Sequence, residues 1–190
     1  MNSSFKTPEL YDWLLYLQEM FPEQKSVVSA YIPKFANIDL SIYNNIQLQE
    51  TYLQSITFPT GGIVYIVWNI DSIIYKIKNT KNIPIYSIPI KTIINDKEIL
   101  YEDFDSILSD INQDLKIGFP HKLDSIIIGE LPNLCQKTVI DGNHRLLEAY
   151  IAGSKNISCY YILPQDAIQF LQKDSQLFIL LADQLFKAIL

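Results

Sequence analysis

The stretch that most constrains this chain runs from Lys137 to Leu163. A short apolar run, KTVI, gives way to Asp141-Gly142-Asn143-His144-Arg145, then to LLEAYIAG, then SKN, then ISCYYIL. Gly142 allows a tight bend, Gly153 closes a short helix, and β-branched and aromatic residues resume beyond it. This punctuation predicts a strand, a glycine turn, a helix of about two turns and a second strand. Any fold the chain adopts has to accommodate that compact unit.

The segments upstream read as its companions. SIIIGEL has the continuous apolar character of a buried strand, and IPIYSIPIKTII carries prolines that suit an edge strand or an extended approach to one. Gly61 and Gly62 break the chain before IVYIVWNIDSIIYKIKN, whose β-branched and aromatic residues predict a strand, or a hairpin turning near Asn69 and Asp71. Residues 96–114 hold seven acidic residues and one Lys, with Leu100, Phe104, Ile107, Leu108 and Ile111 on one stripe. That spacing predicts an acidic amphipathic helix, ended by Gly118 and Pro120.

The first 60 residues read as helical. Thr7 and Pro8 start a helix carrying Leu10, Leu14, Leu17 and Phe21 and ending at Pro22; a second runs from Glu23 to Tyr31, closed off by Pro33; a third runs from Leu40 to about Leu53. The tail from Pro164 to Leu190 reads as one amphipathic helix or two. The fold class expected is therefore α/β, of the α+β kind: a helical extension over 1–60, a mixed-sheet core over 61–163 and a helical segment over 164–190. No internal repeat is present.

Composition limits the setting. Thirty-one isoleucines and an apolar fraction of 48% supply ample core. The longest apolar runs, Ile63 to Trp68 and Phe178 to Ala182, are far shorter than the roughly 18 residues a membrane span needs. The N-terminal residues lack a basic flank followed by an apolar run, so the expectation is a cytoplasmic protein without a membrane partner. Residues 1–95 hold seven Lys and seven acidic residues, whereas residues 96–190 hold eight basic and fourteen acidic, so the net charge of −6 falls in the second half. With a pI near 4.8, that balance argues against nucleic acid as a partner, because such affinity comes from neutralising phosphates with Lys and Arg. A small phosphate-bearing ligand is still compatible. Cys135 and Cys159 have no Cys or His at metal spacing, so they read as two reduced thiols and no metal site is assigned.

Arg145 is the only arginine in the chain. It stands at the start of a predicted helix directly after a glycine turn. There, unpaired backbone N–H groups, a partial positive charge and a planar guanidinium converge, which suits an oxyanion. His144 and Asn143 can add donors. The plain structural reading stands beside this one: Arg145 pairing with Glu148, His144 a satisfied histidine, and Asp141-Gly142 only a turn.

The run VIDGNHRLLEAYIAGSKNISCYYI resembles the DGxHR segment of the ParB/sulfiredoxin superfamily. The order IPIKTI, acidic helix, Gly118, strand, KTVIDGNHR and ISCYYIL resembles the order of elements in that family over residues 83–163. The resemblance implies a ParB/sulfiredoxin-like mixed-sheet core flanked by helical extensions, with a pocket for ATP, ADP or CTP. Gly142, Asn143, His144 and Arg145 would be phosphate contacts, and Asp141 would orient the turn or place Mg²⁺-bound water. Asn143 stands where sulfiredoxins carry their catalytic cysteine, so sulfinic acid reduction is not expected. Only 27 residues follow Leu163, too few for the helix-turn-helix region of chromosome-partitioning relatives.

The branch of the family that phosphorylates free serine uses a glutamate base. This makes Glu102 and Asp103, with Asp105 beside them, candidate bases, and His144 a candidate catalytic group at the phosphate. Ser106 and Ser109 are candidate nucleotide contacts. The family's lysine position on that helix is acidic here, near Asp103, and the plain reading of the same residues is a solvated helical face. His121 lies in a loop near it. The implied function is nucleotide binding with phosphotransfer, as by an ATP- or ADP-dependent kinase, or hydrolysis, acting on a small molecule. The alternative is a non-catalytic module that binds a nucleotide or a protein partner.

Overall fold

The computed structural model describes residues 7–37, 50–57, 63–80, 83–95, 99–101, 104, 123–132 and 137–189. Helix α1 (Thr7–Met20) stops before Pro22, as its sequence predicts, and a 3-10 turn at Pro22–Gln24 leads into α2 (Lys25–Ala36). The second helix departs from expectation by running through Pro33. Val28, Tyr31 and Phe35 are buried along one stripe of α2, and Asn37 N–H donates back to the Pro33 carbonyl at 3.1 Å. Packing on both sides of the proline outweighs the backbone bond it removes.

Strands β1 (Thr51–Thr57) and β2 (Ile63–Asn69) form an antiparallel hairpin, with Thr51 opposite Asn69 and Thr57 opposite Ile63. Two expectations are corrected here. The helix predicted from Leu40 to Leu53 does not hold at its end, because Leu53 lies in β1; residues 38–49 are outside the described residues. The chain also makes no hairpin turn at Asn69 to Asp71. It passes directly from β2 into helix α3 (Ile70–Thr80). Ile70, Ile73, Ile74 and Ile77 are all buried, at the spacing of one helical face, and the Asn69 side-chain oxygen accepts the Ser72 N–H at 2.9 Å. A shared buried face overrides the strand preference of isoleucine.

The second sheet is built from β3 (Ile85–Pro89), β4 (Ile99–Leu100), β5 (Ile126–Glu130), β6 (Lys137–Asp141) and β7 (Asn156–Ile162), in the order β3-β7-β5-β6-β4. Helix α4 (Ile90–Asn95) follows β3, and helix α5 (Asn143–Ile151) links β6 to β7. β7 pairs antiparallel with β3 and parallel with β5, while β6 pairs antiparallel with β5 and parallel with β4. The proline-flanked β3 takes an edge, where a missing N–H does least harm, and β5, with Ile126, Ile127 and Ile128 all buried, takes the centre. The predicted acidic helix over 96–114 begins instead with strand β4 at Ile99; Tyr101 and Phe104 are described, and the rest of that segment, with Gly118 and Pro120, is outside the described residues. The tail forms a short helix α6 (Pro164–Ala167), a 3-10 turn (Ile168–Phe170) and the long helix α7 (Lys173–Ile189).

Side chains alternate across the sheet and so divide two apolar clusters. Ile127, Ile140 and Ile162 face one way, into a cluster shared with Leu14, Val28, Ile66, Trp68, Ile73 and Leu181. That cluster draws on all three segments predicted from sequence, so they share one core. Ile126, Ile128, Val139, Ile157 and Cys159 face the other way, against Ile90, Ile93 and Leu146. The hairpin and the terminal helices therefore cover one face of the sheet, and α4 and α5 lie on the opposite one. Helix α7 and the residue before it are tied to the backbone of β2: Val67 N–H donates to Ser175 Oγ at 2.9 Å, and Gln172 N–H donates to the Val67 carbonyl at 2.9 Å. Among the described residues, no helix is long and apolar enough to cross a membrane.

Candidate anion-binding site

β6 ends at Asp141 and α5 starts at Asn143, so the whole reversal is made by Gly142, with φ +94° and ψ +23°. That left-handed conformation strains any residue carrying a Cβ. Gly142, the N-cap residue, has no side chain with which to cap α5; the first intrahelical bond runs from Leu146 N–H to the Gly142 carbonyl at 2.9 Å. The N–H groups of a first turn left without a side-chain cap, at the positive end of the helix dipole, are suited to an anion.

Arg145 folds back across this turn. Its Nη2 donates to Asp141 Oδ2 at 3.0 Å, and the two side chains are only 10% and 17% exposed. A Cβ at residue 142 would lie 2.7 Å from Arg145 Nη2, 3.0 Å from Nε and 2.9 Å from Ile126 Cγ2. Glycine is thus required twice, once for the bend and once to let the guanidinium lie over it. Arg145 Nε is buried and, among the described residues, has no hydrogen-bond partner. The alternative pairing with Glu148 does not form: Glu148 is exposed, and the ion pair goes to Asp141, which sequence spacing did not single out.

The other candidates separate. His144 is exposed on the first turn of α5, beside the bend. Asn143 is 8% exposed and its side-chain amide donates to the Val139 carbonyl at 3.3 Å, so that amide, expected as a phosphate donor, braces the turn instead. Glu102, Asp103 and Ser106 lie outside the described residues, as do Asp105, Ser109, His121 and Cys135. Asp141 pairs with Arg145 in the resting arrangement, and among the described residues no three His, Cys, Asp or Glu side chains converge as a metal site.

The opposite end of the same sheet face carries a pair that sequence reading did not find. Tyr161 Oη donates to the Glu130 carboxylate, and Tyr86 packs edge-on against Tyr161 with ring centroids 6.4 Å apart. Burial, followed by the hydrogen bond to Glu130, holds the Tyr161 phenol above its ordinary range. The pairing depends on the β5–β7 register, which no local pattern announces. On α5, Tyr150 meets Phe104 at a tilt with ring centroids 5.5 Å apart, and Phe104 meets Tyr101 likewise at 5.1 Å. Burial pushes the Cys159 thiol up to about 12, so it stays protonated and donates to the Tyr160 carbonyl. A protonated, buried thiol is a weak nucleophile.

Comparison of the chain with protein-family models, with curated proteins and with solved structures returns no match.

Proposed function

We propose that this chain is a nucleotide-binding protein of ParB/sulfiredoxin type, and that the Gly142 turn takes the phosphates. The observation that carries the reading is the placement of the lone guanidinium. It is nine-tenths buried, lies across a left-handed glycine that offers no side-chain cap to the helix start, and has one N–H without an acceptor among the described residues. An anion at the turn would meet first-turn N–H groups, the remaining Arg145 donors and the exposed His144. The succession β3, β5, β6, glycine turn, α5 and β7 in one mixed sheet agrees with the part of the implied order that falls on described residues, which also supports the reading; the acidic helix of that order falls outside them.

The activity such a site would serve is phosphoryl transfer to a small molecule or nucleotide hydrolysis, with His144 at the phosphate and Glu102 or Asp103 as base. Melting curves of the full chain with ATP, ADP, CTP and GTP, with Mg²⁺ present, test binding. Stabilisation by at least one nucleotide that disappears in Arg145→Ala supports the site, and no shift with any nucleotide rejects it. Release of ADP or phosphate that falls in Glu102→Gln or Asp103→Asn supports catalysis. Binding without turnover selects the non-catalytic module.

A further inference from the structure

We propose that Asp141 is a tethered stand-in for the ligand: its carboxylate occupies the Arg145 guanidinium until a phosphate-bearing anion displaces it. The inference rests on the reading of the Gly142 turn as an anion site, and it adds how that site is held in check. Arginine–carboxylate pairs are frequently bidentate, with two parallel N–H donors on the two oxygens. Here Asp141 reaches Nη2 alone, at 3.0 Å, while Nε is buried with no acceptor among the described residues. A buried donor left without an acceptor is costly, so the resting arrangement is incomplete at the atom a second anionic oxygen would reach.

Charge points the same way. The Asp141–Arg145 pair is neutral as it stands, so an incoming anion gains little from the guanidinium until the carboxylate gives way. Asp141 is able to give way. It is the last residue of β6 and the more exposed of the two partners, at 17% against 10%, so its carboxylate can turn to solvent while Arg145 stays over Gly142. An anion that offers two oxygens to Nε and Nη2 completes the fork and offsets the loss of Asp141. Chloride and simple monodentate anions do not.

Calorimetric titration of the full chain with inorganic pyrophosphate tests this. The expected result is binding at least ten-fold tighter in Asp141→Asn than in the wild type, and abolished by Arg145→Ala. Should asparagine loosen the turn, as judged by the melting temperature, Asp141→Ser replaces it in the same titration and the same tightening is expected. Unchanged or weaker pyrophosphate binding in a folded Asp141 variant overturns the inference, since Asp141 would then hold Arg145 in place for the ligand, and it leaves the binding site standing. Absence of binding in the wild type and both Asp141 variants overturns the reading of the site, and this inference with it.

Discussion

Arg145 lies directly over Gly142: the place where a side chain would begin at residue 142 is 2.7 Å from the arginine Nη2. The turn and the cation are therefore one device. Asp141, Gly142 and Arg145 are close in sequence, yet their arrangement comes from a left-handed residue that sends the chain from strand to helix and brings the guanidinium back on itself.

This relationship makes Gly142 separable into two roles. Gly142→Ala imposes both the positive-φ strain, about 1–3 kcal/mol, and the displacement of Arg145. Gly142→Asn relieves most of the strain, because asparagine tolerates the left-handed region, but still places a Cβ against the guanidinium. The expected outcome is a clear fall in melting temperature for alanine, a smaller one for asparagine, and at least ten-fold weaker pyrophosphate binding in both. Full binding in Gly142→Asn would show that the guanidinium need not lie over the turn.

On the other face of the sheet, Gly129 makes room for Trp68. A Cβ at residue 129 would stand 2.7 Å from the indole Cη2, and the indole is anchored by its Nε1 donating to Gln54 Oε1 at 2.9 Å. Gly129→Ala should overpack this core by about 1–3 kcal/mol, lowering the melting temperature by about 2–4 °C for each kcal/mol in a chain of this size. Pyrophosphate binding should be unchanged in the folded variant, because Trp68 belongs to the cluster opposite α5. Thermal denaturation and titration of the same sample check both halves.

Stability should fall in alkaline solution. The unfolded chain loses the Cys159 proton near the ordinary thiol value of 9.0, whereas the folded chain keeps it to about 12. Between these values the unfolded state binds fewer protons, so raising the pH favours unfolding, by up to about 1.4 kcal/mol per pH unit for one group. The raised Tyr161 phenol acts with the same sign. Denaturant midpoints measured upward from pH 9 should decline less steeply in Cys159→Ala and in Tyr161→Phe than in the wild type. Parallel slopes would contradict the assignment.

The unit from Lys137 to Leu163 was legible because its instructions are local: β-branched strands, a glycine where φ must be positive, and a second glycine after the helix. The edge position of β3 and the burial of β5 followed from prolines and from an unbroken apolar run. Ile70 to Ile77 misled for a physical reason. Isoleucine favours strand by propensity, and only the 70, 73, 74, 77 spacing, satisfied by burial, makes the segment helical. Pro33 misled likewise, because burial of Tyr31 and Phe35 on either side of it holds α2 together. At the site, the lone arginine and the glycine were visible in sequence, whereas the partner was not: helical spacing favoured Glu148, and the reversal at Gly142 delivered Asp141. The Glu130–Tyr161 pair required the register of two strands separated by 26 residues, which local pattern does not encode.

The most direct measurement uses the fact that Arg145 has no rival in the chain. A ¹⁵N-labelled sample gives a single arginine Nε–H resonance, slow to exchange because that atom is buried. Titration with pyrophosphate or ADP should move this resonance saturably, with the same Kd that calorimetry reports for binding. A resonance that stays fixed while the ligand binds would place the anion elsewhere and contradict the account at its centre.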